Sequence, residues 1–325
     1  TIEVVDSNGT PLLSGDSVSV IKDLKVGGTK LTIKKGTIVK NIKLTDDEDT
    51  TNKKLALVSK FLEMFIVFRS INRRTLAYSS IIYTMFNLVK EIRDKDIQEL
   101  AEILKNKVKF DEDLSVMKDF LSERIDIQEF GEILKDKVKK VKKFAEDLSG
   151  MKDLTLQQNK SFIHFLLARI TRYIEEKCNI VGRFEDYMNS NPKNPFEVEH
   201  IWSDNFEEHK DEFQQKDEWE SYRNKIGALI LLPKSFNQSY GKLSYEKKLP
   251  HYFGQNILAK TLNEQCYDND PNFLRFKEES NLPFKPHKQF KKKDILERQE
   301  LYQKICEGIY DIREFDRIIN QSHLN

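Results

Sequence analysis

The sequence predicts an α+β protein that is mainly helical, with a small N-terminal β-barrel and a ββα finger embedded in a helical C-terminal domain. Three observations carry this. Residues 2–44 alternate apolar and polar side chains between glycine-bearing turns, residues beyond 53 change to three- and four-residue steps, and near residue 200 two short apolar strands precede a polar helix. The expected organisation is a barrel over residues 1–45, a linker over 46–53, a helical domain over 54–157 and a C-terminal domain over 158–325.

The barrel rests on alternation such as Ser17-Val18-Ser19-Val20-Ile21, with Asn8-Gly9, Gly15-Asp16, Gly27-Gly28 and Lys35-Gly36 spaced as turns. Asp46 to Asn52 is acidic and polar and reads as the linker. Beyond it Leu55, Val58, Phe61, Leu62, Phe65 and Ile66 fall at helical steps, and Ile81 to Ile92 continues them. An internal repeat follows, in which Asp96-Ile97-Gln98-Glu99-Leu100 returns 30 residues later as Asp126-Ile127-Gln128-Glu129-Phe130, and Glu112 to Asp119 returns after 34 residues as Glu146 to Asp153. The extra four residues are about one helical turn, so the apolar face is kept. The pair reads as a duplicated helical hairpin. Helices are further expected over 158–178, Ile257–Glu264, Asn272–Glu278 and Ile295–Ile318, the last packing through Leu301, Ile305, Ile309 and Ile312.

Composition sets limits on function. A third of the 325 residues are charged, yet the formal net charge is +1, so a nucleic-acid partner has to be argued from local basic runs, Lys139 to Lys143 and Lys285 to Lys293. Such runs also serve as solvated helix faces. Cys178, Cys266 and Cys306 are far apart and form neither a disulfide framework nor a zinc knuckle. There is no apolar run of about 18 residues to span a bilayer and no charged-then-apolar leader, so a cytoplasmic protein without a membrane partner is expected. The chain begins with Thr1 rather than Met, which predicts a portion of something longer.

The chemistry sits in Phe196-Glu197-Val198-Glu199-His200-Ile201, followed after 24 residues by Asn224 and after another 13 by Asn237. This is the order of carboxylate, imidazole and two carboxamides used by one-metal HNH nucleases. Hydrolysing a phosphodiester requires a water stripped of its proton, for which His200 is the candidate base. Charge on the leaving oxygen calls for a hard divalent cation, Mg2+ first and Mn2+ as the substitute, held by the oxygens of Glu199 and Asn237. Asn224 has the place of the residue that orients the base. Val198–Ile201 and Ile226–Leu232 read as the two strands, and Pro233-Lys234-Ser235 opens the helix. Arg223 reads as a phosphate clamp, and Lys247 and Lys248 as a grip on the scissile strand or as charges that stabilise the reaction, with an exposed helix end as the other reading of Lys248. His251 touches phosphate, completes the metal shell, or is a structural turn residue. His209, in an acidic segment, reads as solvated, and His164 as a satisfied core histidine.

The runs Glu199-His200-Ile201-Trp202, Tyr222 to Asn237 and Leu243 to Tyr252 resemble the C-terminal HNH nuclease domain of GmrSD-like type IV restriction enzymes, and Phe65 to Arg74 is similar to the segment preceding that domain. Ser203 and Ala228 depart from a pattern that often has His-x-x-Pro and Gly-Asn-Leu. The resemblance implies a metal-dependent endonuclease acting on DNA, in defence against foreign or modified phage DNA. It also implies a separate N-terminal sensor or nucleotide-binding domain, or a partner protein that supplies it. Asp6 to Gly9, Gly15 to Val18, Ile21 to Val26 and Gly36 to Ile42 resemble the SH3-like part of the PhnA family, without that family's zinc ribbon. The alternative is a DNA-binding or protein-interaction module whose HNH site is vestigial; an RNase would share the chemistry.

Overall fold

The structure is a computed structural model and describes residues 6–13, 15–25, 32–40, 42, 48–72, 127–144, 148–188 and 193–320. It is mixed α and β, mostly helical, and its contacts divide it into two units that part between Ala56 and Leu57.

In the first unit β1 (Val18–Ser19) pairs antiparallel with β4 (Ile38–Val39), and β2 (Leu24–Lys25) with β3 (Thr32–Ile33). Asp6 Oδ1 accepts from the N–H groups of Asn8 and Thr10 at 2.8 and 2.9 Å, closing a turn on its own side chain. Gly36 takes φ +87°, a left-handed conformation that a Cβ disfavours. The expected barrel is not a closed one among the described residues. Its described strands form two separate two-residue ladders. The Gly27-Gly28 turn lies outside the described residues.

The acidic stretch expected as a linker is already helical from Glu48, where α1 (Glu48–Asn72) begins. Carboxylates suit the positive end of a helix dipole, so an acidic run does not by itself mark a break. Ile81–Ile92, Arg73, Arg74 and the first copy of the repeat lie outside the described residues. The second copy supplies α2 (Ile127–Phe144), which buries Phe130, Leu134 and Val138 on one face.

The core of the second unit gathers on α3 (Leu156–Lys177), where Phe162, Ile163, Leu166, Leu167, Ile170 and Ile174 are buried. A short helix, α4 (Phe184–Tyr187), leads to β5 (Phe196–His200), and α5 (Lys216–Arg223) to β6 (Leu229–Pro233). Then come α6 (Lys234–Tyr240), α7 (Tyr245–Tyr252), α8 (Ile257–Lys260), α9 (Cys266–Asn269), α10 (Pro271–Ser280), α11 (Lys292–Ile309) and α12 (Glu314–Asn320). Helix α10 is set at both ends by its sequence. Asp270 accepts from Phe273 N at 3.1 Å, Pro271 opens the first turn, and Asn281 ends the helix at φ +51°.

Three expected elements differ. The strand foreseen over Ile226–Leu232 divides into a single 3-10 turn, Ile226–Ala228, and the strand proper from Leu229. Gly227 is the reason, since a Cβ there would collide with Ile295 O and come within 2.8 Å of Gln299 N, so the turn is pressed directly onto the backbone of α11. The helix foreseen over Ile257–Glu264 ends at Lys260, beyond which the Asn263 side chain donates to Leu249 O and accepts from Gln265 N instead of leaving the backbone to continue. The final helix breaks after Ile309, where Asp311 accepts from Arg313 N at 2.8 Å and turns the chain before α12. Leu301, Ile305 and Ile309 are buried as expected, while Ile312 falls in this turn and is half-buried.

One buried ion pair joins α1 to α3. Arg169 donates from Nε and Nη2 to the two Glu63 oxygens at 2.6 and 2.7 Å. Burial pushes the Glu63 carboxyl up, but Arg169 and Lys60 outweigh it and hold it below the usual carboxylate range. Removing one partner strands a buried charge, so Arg169→Met is expected to lower unfolding stability by about 3–5 kcal/mol in chemical denaturation; an unchanged midpoint would refute the assignment. Gly227→Ala forces an atom into closed space and is expected to cost about 1–3 kcal/mol, read as a lowered Tm. A neutral result there would mean that α11 does not press on this turn.

Candidate active site

Strands β5 and β6 pair antiparallel with Phe196 opposite Pro233, Val198 opposite Leu231, Glu199 opposite Ile230 and His200 opposite Leu229. The ladder extends past both ends, through Ile201 N to Ala228 O at 2.9 Å and Lys234 N to Pro195 O at 2.8 Å. Every residue from Leu229 to Leu232 is fully buried, which leaves the strand no freedom to slip, because a shift of one residue would turn those side chains outward. Helix α6 follows β6 without a gap and packs on both strands. The two strands and the helix after them follow in the order read from the sequence, but the connection between the strands carries α5 and two 3-10 turns in place of the expected loop.

His200 ends β5 and meets Asn224, which follows α5: His200 Nε2 lies 3.1 Å from Asn224 Oδ1. The orientation of that amide is decided elsewhere. Asn224 Nδ2 donates to Glu220 O at 2.8 Å, so its Oδ1 is the atom that faces the ring, and His200 Nε2 must carry the hydrogen. The lone pair is then on Nδ1. Asn224 is itself fixed by its backbone, whose carbonyl accepts from Leu156 N at 2.9 Å at the start of α3. Burial, with the Arg223 and Lys248 charges, pushes the His200 imidazole down to about 4 against the opposing pull of Asn224.

Glu199 is buried, and its Oε1 lies 2.6 Å from the ammonium of Lys248 on α7. Lys248 also donates to His200 O at 3.0 Å. Burial raises the Glu199 carboxyl and lowers the Lys248 ammonium, while the charge of each opposes the shift of the other. Lys248 is fully buried, not an exposed helix end. The signal for this was in the sequence: Tyr245, Lys248 and Tyr252 recur at steps of three and four, and all three line the inner face of α7. Lys247 and His251 take the outer face and are exposed, with His251 stacked on Tyr240 at 4.1 Å between ring centroids. The fold therefore does not bring these two into contact with Glu199 or His200.

Arg223 donates from Nε to Ser203 O at 3.2 Å, and its guanidinium lies 5.6 Å from the centre of the Trp219 ring. No carboxylate pairs with it among the described residues. The loop after His200 is held further by Trp202 Nε1 donating to Phe290 O at 2.6 Å and by Ser203 Oγ donating to Glu208 at 2.9 Å. A cleft of about 260 Å3 starts there, lined by Trp202, Ser203, His209, Tyr245 and Lys291. His209 is buried between Trp202 and Trp219 rather than solvated. His164 is half-buried and bonds Tyr187 O at 2.7 Å.

Asn237 lies on α6, and its Oδ1 is buried with no hydrogen-bond partner. An orphaned amide oxygen and a buried carboxylate are donors of the type a hard divalent cation takes, so the chemistry of these two residues fits such an ion. The lysine run from 285 to 293 does not supply a free phosphate grip. Lys285 pairs with Glu297, Lys288 with Glu264, Lys291 with Asp211, Lys292 with Glu218 and Lys293 with Glu297. His287, Asp294 and Glu297 also cluster, with Lys285 beside both carboxylates.

Comparison with known proteins divides the chain. Residues 4–64 match the family described as PhnA domain. Protein YjdM of Streptococcus mutans is 46% identical over 52 residues, covering 16% of this chain and 47% of that protein, and the Protein YjdM homolog of Haemophilus influenzae is 48% identical over 61 residues, covering 18% and 51%. The chain thus spans about half the length of the curated relatives it matches. No solved structure matches it significantly. Residues 138–305, which contain β5, β6 and every side chain of the site, match the family described as GmrSD restriction endonucleases, C-terminal domain. That span is more than half of the 325 residues, and the chain belongs to the family of GmrSD restriction endonuclease C-terminal domains.

Proposed function

We propose that this protein is a metal-dependent HNH endonuclease that hydrolyses DNA phosphodiesters as the effector part of a modification-dependent restriction system. The observation that carries the reading is the His200–Asn224 contact at 3.1 Å, with Asn224 locked by Glu220, because it presents a neutral imidazole with a free Nδ1. The family supports a nuclease in restriction, and with it DNA as the substrate.

In this reading His200 Nδ1 takes the proton of the attacking water, and Asn224 holds the ring in the required tautomer throughout. Glu199 and Asn237 hold a divalent cation, Mg2+ by the hardness of their oxygens, with Mn2+ as a substitute. When bound, that ion supplies Lewis-acid stabilisation of the charge on the leaving oxygen. Arg223, a cation without a carboxylate partner among the described residues, binds phosphate; Lys247 and His251 contribute at most outer contacts with the strand, from the exposed face of α7. A sensor domain or partner protein directs the activity to its target, and the protein works in the cytoplasm. The absence of a membrane-crossing helix among the described residues is compatible with that setting.

Plasmid nicking with Mg2+ or Mn2+ tests the reading. His200→Ala is expected to lower the rate by about 10²–10⁴-fold, the range general-base catalysis supplies; equal nicking by both proteins would end the assignment, and preferential cutting of RNA in a competition would change the substrate. The base state has its own measurement. A histidine whose folded pKa is about 4 rather than 6.5 contributes stability that is complete above pH 6.5 and is lost as the pH falls through about 4. Nitrogen NMR of the metal-free protein should accordingly find His200 neutral at pH 6 with the hydrogen on Nε2. A midpoint near 6.5 would contradict the burial described.

A further inference from the structure

The buried ammonium of Lys248 is the one strong charge at the site to which the proposed reaction gives no task. A lysine with no exposed surface is costly, since desolvation of its charge is repaid only by close partners. It has two, Glu199 Oε1 at 2.6 Å and the carbonyl of His200 at 3.0 Å. The first belongs to the candidate metal ligand and the second to the backbone of the candidate base, two consecutive residues whose side chains leave the strand on opposite faces. A single cation from a different helix therefore ties together the two chemical groups of β5.

We propose that Lys248 is the positioning residue of this metal site: by occupying one oxygen of Glu199 and gripping the His200 carbonyl, it aims the other Glu199 oxygen at the divalent cation and fixes the end of β5 that carries the base. The inference rests on the reading of Glu199 as a metal ligand. A ligating carboxylate is ordinarily held by a second group, and losing that support weakens metal affinity by about 10–100-fold. Here the support comes from a charge: the Lys248 ammonium stands directly on the buried Glu199 carboxylate, with the Arg223 charge acting on it as well. Helix α7 delivers it from its inner face, set by Tyr245 and Tyr252 on either side. Lys247, one residue earlier and exposed, cannot take this place.

The test is Mn2+ binding by calorimetry with the full chain and no DNA, followed by plasmid nicking across a Mn2+ series. Lys248→Met is expected to weaken Mn2+ binding by about 10–100-fold, to recover much of its kcat at high Mn2+, and to leave KM for DNA unchanged. Lys248→Arg keeps the charge but changes its shape, and should lie between the two; it also carries the test if the methionine variant does not fold. Adding Glu199→Gln to Lys248→Met should weaken binding no further than Glu199→Gln alone, because both act on the same oxygens. Parent-like Mn2+ affinity in a folded Lys248 variant would overturn the inference while leaving the site reading intact. A parent protein that binds no Mn2+, with nicking unaffected by His200→Ala, would instead overturn the site reading and the inference with it.

Discussion

The ladder between β5 and β6 is the constraint on which the site depends. Glu199 faces α7 and His200 faces Asn224 only because one register is allowed, and that register is imposed by the burial of Leu229, Ile230, Leu231 and Leu232. The strands are short, so the pairing needs outside support. Gly227 seats the turn before β6 on the backbone of α11, while the Tyr302 hydroxyl donates to Leu229 O at 3.1 Å and receives a hydrogen bond from the buried Arg298. At the other end Asn256 donates to Leu231 O at 2.6 Å. The helices around the two strands act as their clamp.

Charge is managed by pairing within this clamp. Fifty-four basic and fifty-three acidic residues almost cancel, and the lysines from 285 to 293 each find a carboxylate. Two groups of the candidate site stand apart from this pairing. Arg223 makes no ion pair among the described residues, although the Asp204, Glu199 and Glu220 charges act on it, and the Asn237 amide oxygen is one of several buried polar atoms without a hydrogen-bond partner.

The two short strands and the helix after them were legible from residue types and spacing. The order Glu199, His200, Asn224, Asn237 predicts strand, loop, strand and helix, because apolar runs of four or five residues bounded by polar segments allow little else. The pairing of His200 with Asn224 follows that order. The edges were less legible: β6 starts three residues later than its apolar pattern, since Ile226–Ala228 is as apolar as the strand but is bent by contact with a helix nearly 70 residues further on. In the N-terminal unit the turn residues were readable and the closure of a barrel was not, because turns are local and closure depends on distant strands meeting.

The sequence by itself determined the mixed class, the helical periodicities, the candidate set Glu199, His200, Asn224 and Asn237, and the family likeness of both ends, all of which rest on residue type and short spacing. Only the tertiary structure decided the charge environment of the site. Lys248 lies 49 positions from Glu199, and whether its ammonium meets water or that carboxylate depends on how α7 docks, which no local pattern encodes. The same holds for the depressed His200 and the tautomer it carries, since desolvation and hydrogen-bond direction arise from the packed neighbourhood and not from the residue.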